Sequence, residues 1–368
     1  GLQLPGSSFV NPGTPLRQAL TAHAVERALA MGAQGSDPRM LADIVTEKTI
    51  VNGIVGLLAT GGSTNHTLHL VAMARAAGIR IDWDDFAELS DAIPLLARVY
   101  PNGKADVNHF HAAGGMGFLV HELLGAGLLH ADVQTILGAG LHRFAVEPWL
   151  DQGVLAWRPV PTTSADPQVL RPVSDPFSTD GGLKRLHGNL GRAVVKTSAV
   201  KPEHRRVRAP AVVVDNQQAL NDLYKQGALN RDFVAVVRFQ GPQANGMPEL
   251  HKLTPALGVL QDQGHRVALV TDGRMSGASG KVPAAIHVSP EALLGGPIGL
   301  VHNGDMVSLD CDTGELTLEV APEVLAQRQP QQPDLAASHT GCGRDLFDLF
   351  RRGAGVAEKG GSALFGND

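Results

Sequence analysis

The hydrophobic pattern changes character between about residues 150 and 190, and this change limits the folds open to the chain. Before it, capping residues precede apolar stretches of helical length. After it, short runs rich in Val, Ala and Leu alternate with turns that contain Gly or Pro, as in β-structure. The sequence therefore predicts a mixed α/β chain. A helix-rich first domain is followed by a β-rich second domain shaped like a barrel or a swivelling unit.

Caps and turns set the expected boundaries of the elements. Helices are expected near 14–31, 37–60, 63–78, 90–99, 108–126, 131–138, 216–226, 248–262 and 343–352. Strands are expected at 192–197, 211–214, 233–238 and 266–270, with a hairpin over 307–320. The segment 161–185 is rich in Pro, Ser, Thr and Asp, and is predicted to link a first domain at 1–160 to a second domain at 186–368.

Composition excludes several classes of protein. Hydrophobic residues make up 43% of the chain and charged residues 18%, which excludes general disorder. The formal net charge of −5 and the aromatic content of 4% argue against a surface that binds nucleic acid. Two cysteines cannot build a disulfide-rich secreted fold, and no apolar run is long enough to span a membrane. A cytoplasmic protein without a signal peptide is expected.

Three polar loops carry the candidate chemistry. The first loop, Thr60-Gly-Gly-Ser-Thr-Asn-His66, lies between a buried helix and the start of another. Its two glycines permit a backbone with positive φ. Free N–H groups at the start of the next helix, together with Ser63, Thr64 and Asn65, form a candidate anion site. An ordinary helix cap after a glycine turn is the alternative.

The second loop spans 241–250 and follows a β-type run. Gly246 and Pro248 shape the turn, and Glu249 falls in the first turn of an expected helix. The helix dipole favours a carboxylate there, and the same carboxylate is a suitable ligand for a hard cation such as Mg²⁺. A plain helix-start glutamate is the alternative.

The third loop spans 270–281 and brings Arg274, Ser276 and Lys281 together with three glycines. Loops at the ends of buried strands commonly present catalytic groups. Ser276 does not match the nucleophile elbow G-x-S-x-G, because Arg274 occupies the position of the first glycine. The alternative is an ordinary glycine-rich loop.

The fifteen histidines are scattered along the chain. His66 and His69 are three residues apart on one expected helix, which is a spacing that metal ligands use. No cysteine or carboxylate stands at a matching spacing, so ordinary surface or core histidines are expected.

The three loops occur together and in this order, and in this the chain resembles the family of dihydroxy-acid and 6-phosphogluconate dehydratases. The resemblance covers essentially the whole chain from Gly1 to the last expected helix, and its details are similar to the 6-phosphogluconate members. Further stretches carry it: Gly61-Gly-Ser-Thr-Asn-His-Thr-Leu-His-Leu, Tyr100-Pro-Asn-Gly, Asn108-His-Phe, Gly188-Asn-Leu-Gly-Arg-Ala-Val-Val-Lys-Thr-Ser and Ala244-Asn-Gly-Met-Pro-Glu-Leu-His-Lys-Leu.

The resemblance implies a lyase that dehydrates 6-phospho-D-gluconate to 2-dehydro-3-deoxy-6-phosphogluconate in the Entner–Doudoroff pathway. It implies that Ser276 is the base that removes the C2 proton. Ser276 would act as an alkoxide favoured by a nearby metal, since a free serine hydroxyl is too weak a base. The resemblance also places Glu249 at a position that binds Mg²⁺ in the family. The candidates for binding the 6-phosphate are Ser63, Thr64, Asn65, Arg274 and Lys281.

The resemblance also implies cofactors. Family members use an iron–sulfur cluster, expected to be of the 4Fe–4S type, as the Lewis acid for loss of the C3 hydroxyl, and part of the family adds Mg²⁺. The family's cluster cysteines correspond to positions upstream of Gly1, and neither Cys311 nor Cys342 falls at a ligand position. The chain is therefore expected to be a C-terminal fragment of a homodimeric enzyme, inactive and poorly soluble by itself.

Three other functions remain open at this stage. A sister dehydratase would act on dihydroxy-acids or on unphosphorylated sugar acids. A non-catalytic module would bind phosphosugars through the loop at 61–65 and would need no cluster. A serine hydrolase is the third, although no His and Asp partners of Ser276 can be assigned. The expected partner is a small phosphorylated sugar acid, with no nucleic acid and no membrane.

Overall fold

A computed structural model describes residues 1–276 and 280–365, and the chain divides into two compact units. The first unit comprises Gly1–Gly61, Ala77–Ile79 and Leu89–Gly181. The second comprises Gly62–Ala76, Arg80–Glu88 and the described chain from Gly182 onward. The second unit thus includes the early segments Gly62–Ala76 and Arg80–Glu88 beside the later part of the chain. The domains at 1–160 and 186–368, with a linker at 161–185, stay a prediction.

The helices and strands have the following bounds. The helices are α1 Pro15–Met31, α2 Leu41–Ile44, α3 Glu47–Thr60, α4 His66–Ala76, α5 Trp83–Ala92, α6 Val107–Ala112, α7 Gly115–Gly125, α8 Gln217–Lys225, α9 Pro242–Asn245, α10 Leu253–Asp262, α11 Pro322–Ala326, α12 Ala336–His339 and α13 Asp348–Gly353. The strands are β1 Gln134–Thr135, β2 Gly138–Ala139, β3 Val146–Asp151, β4 Val154–Pro159, β5 Leu183–Gly188, β6 Gly191–Lys196, β7 Arg206–Val214, β8 Phe233–Val237, β9 Val267–Thr271, β10 Ala284–Ser289, β11 Met306–Asp310 and β12 Glu315–Leu318.

The first unit is helical with two small antiparallel hairpins, β1–β2 and β3–β4. The start of α1 is as the sequence predicts, since the Thr14 hydroxyl accepts a hydrogen bond from the N–H of Arg17 at 3.2 Å. The end of α3 is also as predicted, because Gly61 caps it in the left-handed conformation with φ 57°. These boundaries follow from local chemistry, which a sequence displays directly.

Four helix predictions in the first unit differ from the structure. The second helix does not begin at Asp37, because the Asp37 carboxylate instead binds Arg27 at 2.6 Å and also Arg39. The helix begins later, as α3, after Thr46. Of the helix expected near 90–99, residues 90–92 are helical as the end of α5, and an extended segment follows Pro94. The helix near 131–138 is the β1–β2 hairpin. Gly114, with φ 136°, divides the helix expected at 108–126 into α6 and α7.

Eight strands of the second unit form a closed barrel in the order β10-β6-β5-β12-β11-β7-β8-β9. Strands β7 to β10 run parallel, as do β5 and β12, and the other neighbours are antiparallel. Every residue of β8 and β9 is buried, which explains why their sequences are continuous apolar runs. The mixed α/β class and the barrel-like sheet predicted from the sequence are confirmed.

An apolar cluster fills the second unit. Its members include Leu186, Val195, Val207, Val234, Val236, Val270, Leu309 and Leu316, and each is at most 2% exposed. The seam between β5 and β12 is short, with one register pair, Glu315 and His187. Beside it the Asn189 amide closes the gap by donating to the Leu318 carbonyl at 2.8 Å and accepting from the Leu318 N–H at 2.7 Å. The Asn189 side chain thus makes the pair of hydrogen bonds that the backbone of a neighbouring strand would otherwise make.

The loops that follow β8 and β9 are joined by one buried carboxylate. Asp272, directly after β9, accepts hydrogen bonds from the N–H groups of Phe239 at 3.1 Å, Gln240 at 2.9 Å and Ala292 at 2.9 Å. Burial raises the pKa of Asp272 to about 6. Because three backbone donors converge on this side chain, the loops after the two parallel strands keep a fixed mutual position.

No helix in the described ranges is long and apolar enough to cross a membrane.

We expect Gly188→Ala to weaken the barrel at the β5–β12 seam. A Cβ at Gly188 would lie 1.9 Å from the Leu316 carbonyl oxygen, so the backbone must shift, at a cost of about 2 kcal/mol. The control is Gly258→Ala in α10, where the nearest atom to a new Cβ is 4.0 Å away. It should leave the stability unchanged or raise it by about 0.5–1 kcal/mol. Urea unfolding measures both, and equal midpoints for the two variants would contradict this view of the seam.

Candidate active site

Three loops of the second unit meet at the carboxyl ends of parallel strands. The segment 246–249 follows α9, the segment 272–276 follows β9, and the segment 62–65 leads into α4. Glu249 and Arg274 pair as an isolated parallel bridge, and the Leu250 N–H donates to the Arg274 carbonyl at 3.2 Å. The second and third loops of the sequence analysis are therefore joined by backbone as well as by side chains.

The Glu249 carboxylate lies at the centre of the site. Its Oε1 accepts from the Ser276 N–H at 2.8 Å. Its Oε2 lies 3.3 Å from an Arg274 guanidinium nitrogen and 3.5 Å from the Asn65 side-chain nitrogen. The side chain is about one quarter exposed, so solvent still reaches it. A half-buried carboxylate with one strong donor and two longer contacts retains lone pairs that can bind a further cation or donor.

Local backbone geometry explains why Glu249 points here. Gly246 ends α9 in the left-handed region with φ 66°, and Met247 follows with φ 52°. The strained Met247 is held by the Arg274 Nε, which donates to the Met247 carbonyl at 2.5 Å. Arg274 therefore orients both the turn before Glu249 and the carboxylate itself.

The segment that leads into α4 is tied to the barrel by three side chains. The Lys196 ammonium donates to the Gly62 carbonyl at 3.2 Å. The Thr64 hydroxyl donates to the Met275 carbonyl at 2.6 Å, and the Thr67 hydroxyl lies 3.2 Å from the Nδ1 of His287. The start of α4 thus has a fixed position beside the residue before Ser276.

Glu249 also affects how the start of α4 can act as an anion site. The Asn65 side chain faces the Glu249 carboxylate, so a negative charge already lies beside the positive end of the helix. The Ser63 hydroxyl accepts from the Asn65 N–H at 3.2 Å, and the Thr64 hydroxyl is used by Met275. The loop is therefore less free to receive a phosphate than its sequence suggests.

Lys281 lies apart from these contacts. Its ammonium forms an exposed ion pair with Asp262, with nitrogen–oxygen distances of 2.7 and 2.5 Å. The other candidates, Ser63, Thr64, Asn65, Glu249, Arg274 and Ser276, are brought together. Residues 277–279 of the predicted third loop lie outside the described part of the chain.

Two buried polar residues that contact these loops, Lys196 and His287, were not among the candidates predicted from the sequence. Lys196 ends the apolar strand β6 and is 6% exposed, and burial lowers its pKa to about 8. His287 lies within β10 and is fully buried, with φ 60°. Burial, with smaller contributions from the charges of Arg274 and His69, lowers the pKa of His287 to about 3, so the ring is neutral. A charged residue that ends an apolar run was the available signal for Lys196.

Two protein-family models match this chain. Residues 1–144 match the model of the dihydroxy-acid/6-phosphogluconate dehydratase N-terminal domain, and residues 168–361 match the model of the C-terminal domain.

The chain belongs to the dihydroxy-acid/6-phosphogluconate dehydratase family.

Individual relatives give the same result. The chain is 59% identical over 366 residues to a phosphogluconate dehydratase of Rhizobium meliloti, and 57% identical over 364 residues to that of Escherichia coli K12. Each alignment covers 99% of this chain and 60% of the relative. A dihydroxy-acid dehydratase of Sulfurisphaera tokodaii is 35% identical over 332 residues, covering 89% of this chain and 56% of the relative. The chain thus spans about 60% of the length of the phosphogluconate dehydratases it matches.

The described residues of this dehydratase-family chain do not form a site for an iron–sulfur cluster. Cys311 is buried after β11, and burial raises the pKa of its thiol to about 12. Cys342 is exposed. Within residues 1–276 and 280–365, no group of three or more His, Cys, Asp or Glu side chains is placed to hold a metal ion. Within the loops described above, the Glu249 carboxylate is the candidate oxygen ligand.

A second buried carboxylate supports the loop that carries Glu249. Glu291 is 2% exposed and accepts hydrogen bonds at 3.1 Å from the N–H groups of Gln243 and Ala244, at the start of α9. Burial, with the nearby charge of Asp272, raises the pKa of Glu291 to about 7. Glu291 thus fixes α9, and α9 leads directly into the turn before Glu249.

Replacing Glu291 by Gln should change how stability depends on pH. A raised pKa means that the folded state binds the proton more tightly than the unfolded state does. This stabilisation is complete below pH 4.5, the ordinary pKa, and is lost as the pH rises through about 7. We expect the free energy of unfolding to fall by on the order of 2–3 kcal/mol across this range, and Glu291→Gln to remove most of that fall. The exposed Glu323→Gln is the control, and unchanged pH dependence in Glu291→Gln would refute the assignment.

Proposed function

We propose that the full-length protein with this sequence is a hydro-lyase that converts 6-phospho-D-gluconate to 2-dehydro-3-deoxy-6-phosphogluconate and water. The observation that carries the proposal is the identity of 57–59% over 99% of the chain to proteins named phosphogluconate dehydratase. The dihydroxy-acid dehydratase is 35% identical over a shorter span. The alternative, a sister enzyme acting on unphosphorylated dihydroxy-acids or sugar acids, is therefore less supported.

The proposed reaction needs a base at C2 and an acid for the hydroxyl at C3. Ser276 is our candidate for the base. Its backbone N–H is bonded to the Glu249 carboxylate, and a nearby negative charge disfavours an alkoxide. The hydroxyl can therefore serve as a base only when Glu249 is neutralised. On this chain, Arg274 provides a positive charge at 3.3 Å from the carboxylate.

A Mg²⁺ ion at Glu249 would complete this neutralisation. We propose Glu249 as one of its ligands, because a partly exposed carboxylate with remaining lone pairs suits a hard cation. Waters, substrate oxygens or residues beyond this chain would supply its other ligands. The family's iron–sulfur cluster would take its cysteines from beyond this chain, since we propose neither Cys311 nor Cys342 as a ligand. The cluster would supply the Lewis acid for the C3 hydroxyl.

For the 6-phosphate we propose Arg274 together with Ser63 and Asn65. Arg274 uses its Nε on the Met247 carbonyl and one terminal nitrogen on Glu249, and its remaining N–H groups are the donors that we propose for phosphate. The Asn65 side chain contacts the same carboxylate at the start of α4. Thr64 is a weaker candidate because its hydroxyl proton is used by Met275. Lys281 is weaker still, since Asp262 already neutralises its charge. We further propose a cytoplasmic homodimer that acts in the Entner–Doudoroff pathway.

The function is tested by assaying the full-length protein, with its cluster rebuilt without oxygen, on 6-phosphogluconate and on an unphosphorylated dihydroxy-acid. Ser276→Ala should lower kcat for 6-phosphogluconate by about a thousandfold, because the base is removed. The control is Ser308→Ala on β11, which should retain full activity. Turnover of the unphosphorylated acid alone would move the assignment to a sister enzyme. Full activity in Ser276→Ala would remove the serine from the mechanism.

The cation proposal is tested with Glu249→Gln. Removing the negative charge should raise the Mg²⁺ concentration for half-maximal activity by about tenfold or more, since a neutral amide is a poor ligand for this ion. Glu319→Gln is the matched control, because that carboxylate pairs with Arg208 on the barrel surface. An unchanged Mg²⁺ requirement in Glu249→Gln would rule out Glu249 as a ligand.

A further inference from the structure

The His287 ring is fixed on several sides although the proposed reaction assigns it no role. It is fully buried in the second unit, and its Nδ1 lies 3.2 Å from the Thr67 hydroxyl. The ring of Trp83 lies beside it, with centroids 6.2 Å apart at an angle of 35°. The Trp83 indole N–H donates to the Thr67 carbonyl at 3.2 Å, so one aromatic residue supports both partners.

The hydrogen bonds of Thr67 determine the tautomer of this ring. The Thr67 hydroxyl lies 2.9 Å from the Thr64 carbonyl, which can only accept. The hydroxyl proton is therefore used there, and Thr67 must accept from His287. The ring consequently carries its proton on Nδ1, while Nε2 keeps its lone pair and has no hydrogen-bond partner among the described residues.

Further hydrogen bonds connect Thr67 with Met275, the residue before Ser276. The Thr67 hydroxyl donates to the Thr64 backbone carbonyl, and the Thr64 side-chain hydroxyl donates to the Met275 carbonyl at 2.6 Å. His287 and Thr67 therefore hold the backbone of Thr64, and Thr64 in turn holds Met275 through its side chain. The backbone of His287 acts on the same loop, because its N–H donates to the Gly273 carbonyl at 2.9 Å. One residue thus holds the loop at Gly273 by its backbone and at Met275 through its ring.

The backbone of His287 is strained in a way that serves this arrangement. A φ of 60° inside a strand is unusual for a residue other than glycine, and it coincides with a register shift between β10 and β6. Such a conformation persists where the surroundings determine it, and it commonly marks functional sites. An ordinary strand residue at 287 would turn its side chain elsewhere and leave Thr67 without its donor.

We propose that His287 is a positioning residue for Ser276, acting as a neutral imidazole whose Nδ1–H fixes the Met275–Ser276 peptide through Thr67 and Thr64. The proposal rests on the proposed function for the role of Ser276 as the base. It assigns to His287 a contribution to the orientation of the serine hydroxyl, and no contact with the substrate.

Kinetics of the full-length protein test the proposal through conservative replacement. His287→Ala should lower kcat by roughly ten- to a hundredfold with KM changed less than about twofold, because the base is misplaced while binding remains. His287→Asn should recover most of this loss, since asparagine tolerates positive φ and its amide N–H replaces the Nδ1–H. Thr67→Val should resemble His287→Ala, and the double variant should be no worse than either. The exposed His302→Ala is the control.

Three kinetic results would overturn the proposal. If His287→Asn is as impaired as His287→Ala, the unpartnered Nε2 is the functional atom. If KM rises while kcat is unchanged, His287 contributes to binding. If the effects of His287→Ala and Thr67→Val simply add, the two residues act separately.

A spectroscopic measurement separates failure of this proposal from failure of the proposed function. Nitrogen-15 NMR of the histidine rings should show His287 protonated on Nδ1 and bare on Nε2 at all pH values between about 5.5 and 8.5. Thr67→Val should abolish this preference. If wild-type protein turns over no tested acid but the spectrum is as expected, the proposed function fails and the hydrogen-bond chain stands. The opposite tautomer would refute the chain whatever the activity.

Discussion

The arrangement of the site depends on one hydrogen bond between residues far apart in the chain, from the Thr64 hydroxyl to the Met275 carbonyl at 2.6 Å. It joins the start of α4 to the loop after β9, and the contacts of Glu249 with Asn65 and Ser276 lie beside it. A buried hydrogen bond of this kind contributes only about 1 kcal/mol to stability, but leaving its acceptor unpaired would cost more. Its main effect is therefore on geometry, since it allows few positions for the residue before Ser276.

Charge balance is the second constraint on the site. Asp272 and Glu291 are both buried, and backbone N–H groups rather than basic side chains satisfy them. Glu249 is more exposed and instead contacts Arg274. The two buried carboxylates thus hold the loops in place, while the third remains able to exchange partners. This division explains why only Glu249 is suited to a cation or a substrate group.

Sequence reasoning succeeded where the cause was local. The cap at Thr14, the glycine at the end of α3 and the all-apolar strands β8 and β9 each follow from a few neighbouring residues. It failed where a distant partner decides the outcome. Asp37 binds Arg27 instead of starting a helix. Lys281 pairs with Asp262, a contact that its loop sequence does not show, and its role in binding phosphate stays a prediction. Nothing local marks His287, whose role is inferred from Thr67, 220 residues earlier.

The separation between Thr64 and Met275 also has a consequence for the timing of folding during synthesis. The two residues are 211 positions apart, so at about 5–20 residues per second a ribosome needs roughly 10–40 s to make the second partner after the first. During that interval α4 lacks its contacts with the later chain, which include Met275, His287 and the segment Ala357–Lys359, while its apolar residues Leu68, Leu70 and Val71 are buried only in the finished unit. A newly made chain must therefore shield this helix, by transient contacts or by a chaperone, until β9 and β10 have left the ribosome.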